Sequence, residues 1–252
     1  MRIVVCIKHV PDVQSERRLE DGRLVRGEED VLNELDENAV EAAVTLAEEA
    51  DGEVIALTMG PEDSEDGVRR ALQMGADSGI VVADDALAGA DVVTTARVLA
   101  AAIERIGEVD LVVTGMASLD AMTSMLPGAL AAALHLPALT LANRLEIDGG
   151  AVTVTRTVGT VREVVSAPLP ALVSVTDQAN EPRYPNFAAM RAAKKKPIDF
   201  WEAYELGLEV ADPAVRVVDD EARPAREAGI IRTDAGEAGR ELAAWLVENK
   251  LV

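Results

Sequence analysis

Apolar positions along this chain fall into two rhythms that take turns. Residues 3–7, 54–58, 80–83, 111–114 and 171–176 are short, nearly unbroken apolar runs rich in β-branched side chains. Such runs read as strands buried on both faces of a parallel sheet. Between them the spacing widens to a helical one. Residues 36–50 carry apolar side chains at 39, 40, 43, 44, 46 and 47, and residues 64–74, 91–106 and 123–134 show the same period, with Gly75 closing the second segment. Strands alternating with helices imply right-handed crossovers and a parallel sheet.

The second half changes character. Residues 141–147, 152–158 and 161–166 are Thr- and Val-rich and are joined by glycine-containing turns, which predicts antiparallel strands. Residues 11–32 are polar and read as loop or short hairpin. Beyond Pro197 the chain is acidic and patternless, with Pro213 and Pro224, until a short amphipathic helix at 237–246. The expected fold is therefore α/β: an open, mostly parallel, doubly wound, Rossmann-like sheet with a small antiparallel section and a C-terminal extension. The expected division is a domain over 1–197, including an exposed loop at 180–197, and an extension over 198–252 that gains order by packing on another subunit.

Charge and composition narrow the function. A net charge of −21 over 252 residues argues against nucleic acid or anionic membrane as the main partner, since both need a basic face. The apolar run 128–142 is broken by His135 and Pro137 and is too short to span a bilayer, and the chain opens directly into a strand pattern, so a cytoplasmic protein is expected. A lone cysteine, Cys6, excludes an internal disulfide and a cysteine-held cluster. Catalytic groups are few. His9 and His135 stand apart, and there is no nucleophile elbow, no metal-ligand spacing, no Walker A and no Gly-x-Gly-x-x-Gly. Binding, with no metal and no bond chemistry, is the expectation.

Ligands of open parallel sheets sit beyond the carboxyl ends of the strands, at the switch point. The segments there are 8–13, 58–61 and 115–127. The last leads into the predicted helix through Thr123 and Ser124, which either donate to a phosphate or simply cap the helix. A second feature is the run Asn180-Glu181-Pro182-Arg183-Tyr184-Pro185-Asn186-Phe187, followed by Arg191, Lys194 and Lys195. Two aromatics on a loop can anchor a partner; the alternative is a turn and a short helix whose lysines suit its C-terminus.

Several blocks together resemble the small (beta) subunits of electron-transfer flavoproteins. They are Ile7-Lys8-His9-Val10-Pro11-Asp12, Asn33-Glu34-Leu35-Asp36-Glu37, Gly60-Pro61, Arg70-Ala71-Leu72-Gln73-Met74-Gly75-Ala76-Asp77, and the Asn-Glu-Pro-Arg-Tyr loop with its lysine-rich helix end. The resemblance implies a structural AMP held by residues at Ile7, Lys8, His9, Asn33, Met59, Gly115, Asp120, Thr123, Ser124, Met125 and Leu126. It also implies a redox FAD held mostly by a large (alpha) subunit, with His9 to Val13 shielding one side. Tyr184, Phe187, Arg191, Lys194 and Lys195 would dock flavin dehydrogenases, such as acyl-CoA dehydrogenases, with a quinone reductase or another protein as acceptor. Two departures stand out. The family's Asn-Gln-Thr phosphate cradle is Ser124-Met125-Leu126 here, and Phe187 stands where the family has an anchoring leucine. Members that bifurcate electrons hold a second FAD in place of AMP. The competing class is a stand-alone adenine-nucleotide-binding stress-type protein or pyrophosphatase. The latter needs Ser-Gly-Gly-x-Asp-Ser after the first strand, where this chain has Lys8-His9-Val10-Pro11-Asp12.

Overall fold

The computed structural model describes residues 1–252 apart from 16, 28, 211, 222, 223, 225, 227, 230, 232 and 235. The chain forms two compact units, Met1–Asp219 and Asp220–Val252. The first opens with β1 (Arg2–Cys6), β2 (His9–Pro11), a hairpin of β3 (Leu19–Glu20) and β4 (Arg23–Leu24), and β5 (Asp30–Leu32). It continues through α1 (Glu34–Ala50), β6 (Glu53–Met59), α2 (Glu65–Met74), β7 (Ser78–Val82), α3 (Val92–Ile106), β8 (Leu111–Gly115) and α4 (Leu126–Ala133). It ends with β9 (Ala138–Asp148), β10 (Ala151–Val158), β11 (Val161–Pro168), β12 (Ala171–Val175), α5 (Phe187–Ala193) and β13 (Ile198–Trp201). The second unit contains α6 (Ala238–Glu248).

One nine-stranded sheet runs in the order β11-β10-β9-β12-β8-β1-β6-β7-β13. From β12 to β13 every pairing is parallel. The chain winds outward from β1 through β6 to β7, then crosses back to lay β8 on the other edge of β1. That reversal puts the switch point between β1 and β8. Two cores flank the sheet. Val5, Val54 and Val113 pack with α1 and α2 on one face, and Val4, Leu57 and Val112 pack with α3 and α4 on the other. The six aromatic residues all lie at or after Tyr184, so aliphatic side chains fill both cores almost alone. Among the described residues no helix is long and apolar enough to cross a membrane.

The doubly wound sheet expected from the sequence is present, with three differences. The antiparallel section is part of the main sheet, because the start of β9 pairs parallel with β12 before β10 and β11 fold back on it. Ile198–Trp201, expected in the extension, is an edge strand paired in register with Gly79–Val82. The helix expected from 123 begins at Leu126, with Pro127 in its first turn and no side-chain cap. Met122 and Ser124 have φ of 51° each, a left-handed conformation that a helix cannot continue through.

Candidate functional site

The carboxyl ends of β1 and β8 are tied together by the first turn of α1. Asn33 stands at its N-cap, yet its side chain makes no capping bond. The Asn33 Nδ2 donates to the Ala117 carbonyl (2.9 Å), and its Oδ1 accepts from the Leu119 amide (3.0 Å). One turn on, Asp36 Oδ2 accepts the Lys8 amide at 2.8 Å. Both side chains are buried, so the helix start works as a bracket holding the loop after β1 against the loop after β8. Burial pushes the Asp36 carboxyl up to about 7, despite bonds from Asn33 and from the Lys8 and Gly115 backbones that favour its charged form. The approach is tight at Gly115, where an added Cβ would lie 2.4 Å from Asp36 Oδ1 and 2.7 Å from the Leu35 carbonyl.

Above this bracket lies a charge cluster. Lys8 Nζ is 2.8 Å from Asp120 Oδ2, and the Arg26 guanidinium also donates to Asp120. Arg26 reaches in from the excursion between β4 and β5 and donates to the His9 carbonyl at 3.0 Å. Burial opposes ionisation of Asp120, but the charge and hydrogen bond of Lys8, with bonds from Arg26 and Ser118, outweigh it and hold the carboxyl down at about 2. Two cations thus share one carboxylate, which leaves a positive excess in an acidic protein. At the same end of the sheet but toward α2 and β6, the buried His9 Nδ1 and Thr58 Oγ1 have no partner among the described residues, the His9 ring lying beside Gly67. Buried polar atoms in that state call for a ligand or a water. Cations beside backbone-lined loops fit a polar, anionic ligand.

The positions picked out from sequence divide accordingly. Lys8, His9, Asn33, Gly115 and Asp120 converge, with Ile7 buried in the adjacent core and Met59 half-buried at the end of β6. Thr123, Ser124 and Met125 lie on an exposed stretch before α4, and Leu126 packs toward the second core. Val13 is exposed. Arg26 and Asp36 also belong to this arrangement, beyond the positions expected from sequence. For Asp36 a signal existed, because Asn-x-x-Asp has the spacing of a capping pair. Arg26 gave none, since its role depends on a residue 94 positions away. Cys6 is core, its thiol pushed up to about 12 by burial and by the charge of Asp36. Among the described residues no cluster of three or more His, Cys, Asp or Glu could hold a metal ion.

The loop before α5 is the second feature. Tyr184 and Phe187 are 89% and 88% exposed, although the backbone around them is tethered. Asn180 and Asn38 exchange side-chain bonds, Asn186 caps α5 through the Ala189 amide, and Lys196 closes the C-terminus of α2 through the carbonyls of Leu72, Gly75 and Ala76. Arg191, Lys194 and Lys195 are exposed on the same short helix and just past it.

Comparison with known proteins gives a consistent answer. The family model described as "Electron transfer flavoprotein domain" matches residues 21–206. The chain is 38% identical to the electron transfer flavoprotein subunit beta of Mycobacterium tuberculosis, with 99% of each chain covered. It is 32% identical to the subunit of the same description from Bacillus subtilis, covering 98% of this chain and 97% of that one. It is also 35% identical to the caffeyl-CoA reductase-Etf complex subunit CarD of Acetobacterium woodii, covering 82% of this chain and 80% of that protein. With the doubly wound sheet, the bracketed crevice and the exposed loop in place, these identities over nearly the full length show that the chain belongs to the electron-transfer flavoprotein beta-subunit family.

Proposed function

We propose that this chain is the small subunit of a heterodimeric, cytoplasmic electron-transfer flavoprotein that carries electrons from flavin dehydrogenases, such as acyl-CoA dehydrogenases, to a quinone reductase or another acceptor. The observation that carries this reading is a pair of aromatics held almost fully in solvent on a tethered loop. An apolar anchor kept out of the core suits docking. Family membership favours this reading over a stand-alone nucleotide-binding stress-type protein. In it the chain performs no bond chemistry of its own, and its partner is a large, alpha subunit.

The crevice between β1 and β8 would hold the nucleotide, AMP or a second FAD in its place. Lys8 and Arg26 would set its anionic part. Thr123 and Ser124 are not a preformed cradle, so phosphate donors there would come from a loop that adjusts on binding. The bound flavin shared with the large subunit supplies reversible electron acceptance. This chain's own residues bind, orient and exclude water, with the segment from His9 to Val13 covering one side of that flavin.

The test is co-expression with the large subunit, denaturation of the purified complex, and identification of every released nucleotide. One FAD with one AMP, or two FAD, per heterodimer is expected. Release of a single FAD and nothing else removes the crevice from the reading.

A further inference from the structure

Exposed aromatics on a loop and at the start of a short helix should fold down onto the nearest apolar surface, because each large side chain left in water forgoes about 1.5–3 kcal/mol of burial. Tyr184 and Phe187 do not do so, and the residue between Pro182 and Tyr184 explains why. Arg183 spends its whole side-chain fork, and its backbone amide, on α1. Its amide and Nε reach Glu41 Oε2 at 3.0 and 2.8 Å, and its Nη2 reaches Glu41 Oε1 at 3.1 Å. Its Nη1 and Nη2 reach the two Glu48 oxygens at 2.7 and 3.2 Å. Glu41 and Glu48 are two helical turns apart on one face, so a single guanidinium can span both. Next along, Tyr184 takes the Arg70 guanidinium over its ring at 5.5 Å, and Arg70 is itself paired with Glu37 of α1 at 3.0 Å.

We propose that Arg183 is the positioning residue of the docking loop: by gripping Glu41 and Glu48 it holds Tyr184 and Phe187 in their partner-binding pose before any partner arrives. This rests on the docking reading above. The grip meets the ordering cost of the loop at folding instead of at each encounter, which matters for a carrier that binds and leaves many partners. The geometry requires arginine. A lysine keeps the charge but places one ammonium where a planar fork now satisfies four carboxylate oxygens. The two glutamates also repel one another, and Arg183 offsets that repulsion: its hydrogen bonds and charge hold both carboxyls below their usual range, against burial in each case. α1 carries this grip along its length and the crevice bracket at its start, so one rigid helix sets the docking aromatics relative to the nucleotide site.

The experiment uses the heterodimer with its large subunit, and a reduced acyl-CoA dehydrogenase as the electron donor. Arg183→Lys should raise the KM for the dehydrogenase about five- to tenfold, roughly 1 to 1.4 kcal/mol, with kcat at saturating donor little changed. Amide hydrogen exchange across 183–193 should accelerate in the same variant, while nucleotide content stays at the wild-type level. Glu48→Gln, at the outer end of the grip, should shift both readouts the same way by a smaller amount. Phe187→Ala is the control for docking itself. A wild-type KM in Arg183→Lys beside a raised KM in Phe187→Ala overturns the positioning role and leaves docking intact. A wild-type KM in both overturns docking and the pose with it. Should Arg183→Lys fail to fold, Glu48→Gln decides by the same two readouts.

Discussion

Asp36 and Gly115 meet where the chain is least tolerant of change. The Asp36 carboxyl is pushed up to about 7 from an ordinary 3.8, chiefly by burial. Folding raises this pKa, so between those values the folded chain holds a proton that the unfolded chain has released. Its contribution to stability is fully present below pH ~4 and is lost as pH rises through ~7. The stability of the wild type relative to Asp36→Asn should therefore decline between pH 5 and 8, read as the difference in Tm between the two proteins at each pH; a flat difference would reject a raised Asp36. Asp120 has the opposite sign. Held at about 2, it contributes above its ordinary pKa and loses that contribution as pH falls through ~2. Gly115→Ala would drive a methyl to 2.4 Å from Asp36 Oδ1, with helix backbone behind it. Overpacking of this kind costs about 1–3 kcal/mol, so a Tm drop of several degrees is expected in calorimetry, and an unchanged Tm would show that the bracket yields. Gly115 is legible in the sequence because it ends a strand, whereas Asn33 is marked only by the family resemblance. The charge cluster stayed hidden because Lys8, Arg26 and Asp120 meet only once three separate crossovers have closed.

At the scale of elements, the buried strands could be read from the sequence and the irregular ends could not. β1, β6, β7, β8 and β12 are continuous apolar runs because both faces of the sheet are covered, and that burial is what the sequence pattern records. The start of α4 differs from its sequence pattern because Thr123 and Ser124 are good caps by type, whereas left-handed Ser124 and the ring of Pro127 delay the helix to Leu126. The exposed loop before α5 and the start of that helix can be tested directly. Phe187 is 88% exposed, so Phe187→Ala should leave thermal stability, heterodimer assembly and nucleotide content near wild type. Loss of an aromatic anchor from a partner pocket typically costs about 2 kcal/mol or more, so electron transfer from a dehydrogenase at limiting concentration should fall roughly 30-fold. A stability loss of about 3–5 kcal/mol, the usual cost of truncating a core phenylalanine, would instead make the side chain structural.

At the scale of the whole molecule, the boundary between the units follows from packing that no sequence rhythm displays. Ile198–Trp201 adds a strand to the sheet, Trp201 lies under the Arg105 guanidinium at 4.3 Å, and Leu206, Leu208 and Val210 pack on the α3–α4 core. These contacts are made one residue at a time from an edge strand and a turn, so the sequence looks patternless although the first unit extends to Asp219. The unit from Asp220 onward is of another kind. Asp234 accepts amides from Gly236 and Ala238 to start α6, yet none of the helix's residues is buried, and Leu242, Trp245 and Val247 are 57%, 44% and 64% exposed. A lone helix of 11 residues is shorter than the ~12–15 needed for even marginal stability in water. Its apolar residues thus need a surface, and a large subunit is the one the family reading supplies. Truncation after Asp219 should leave a folded first unit whose Tm stays within a few degrees of the full chain, because every strand of the sheet lies before that point. The truncated chain should fail to co-purify with a tagged large subunit, while Trp245→Ala in the full chain should weaken that association without abolishing it. Undiminished co-purification of the truncated chain would show that the first unit alone carries the subunit interface.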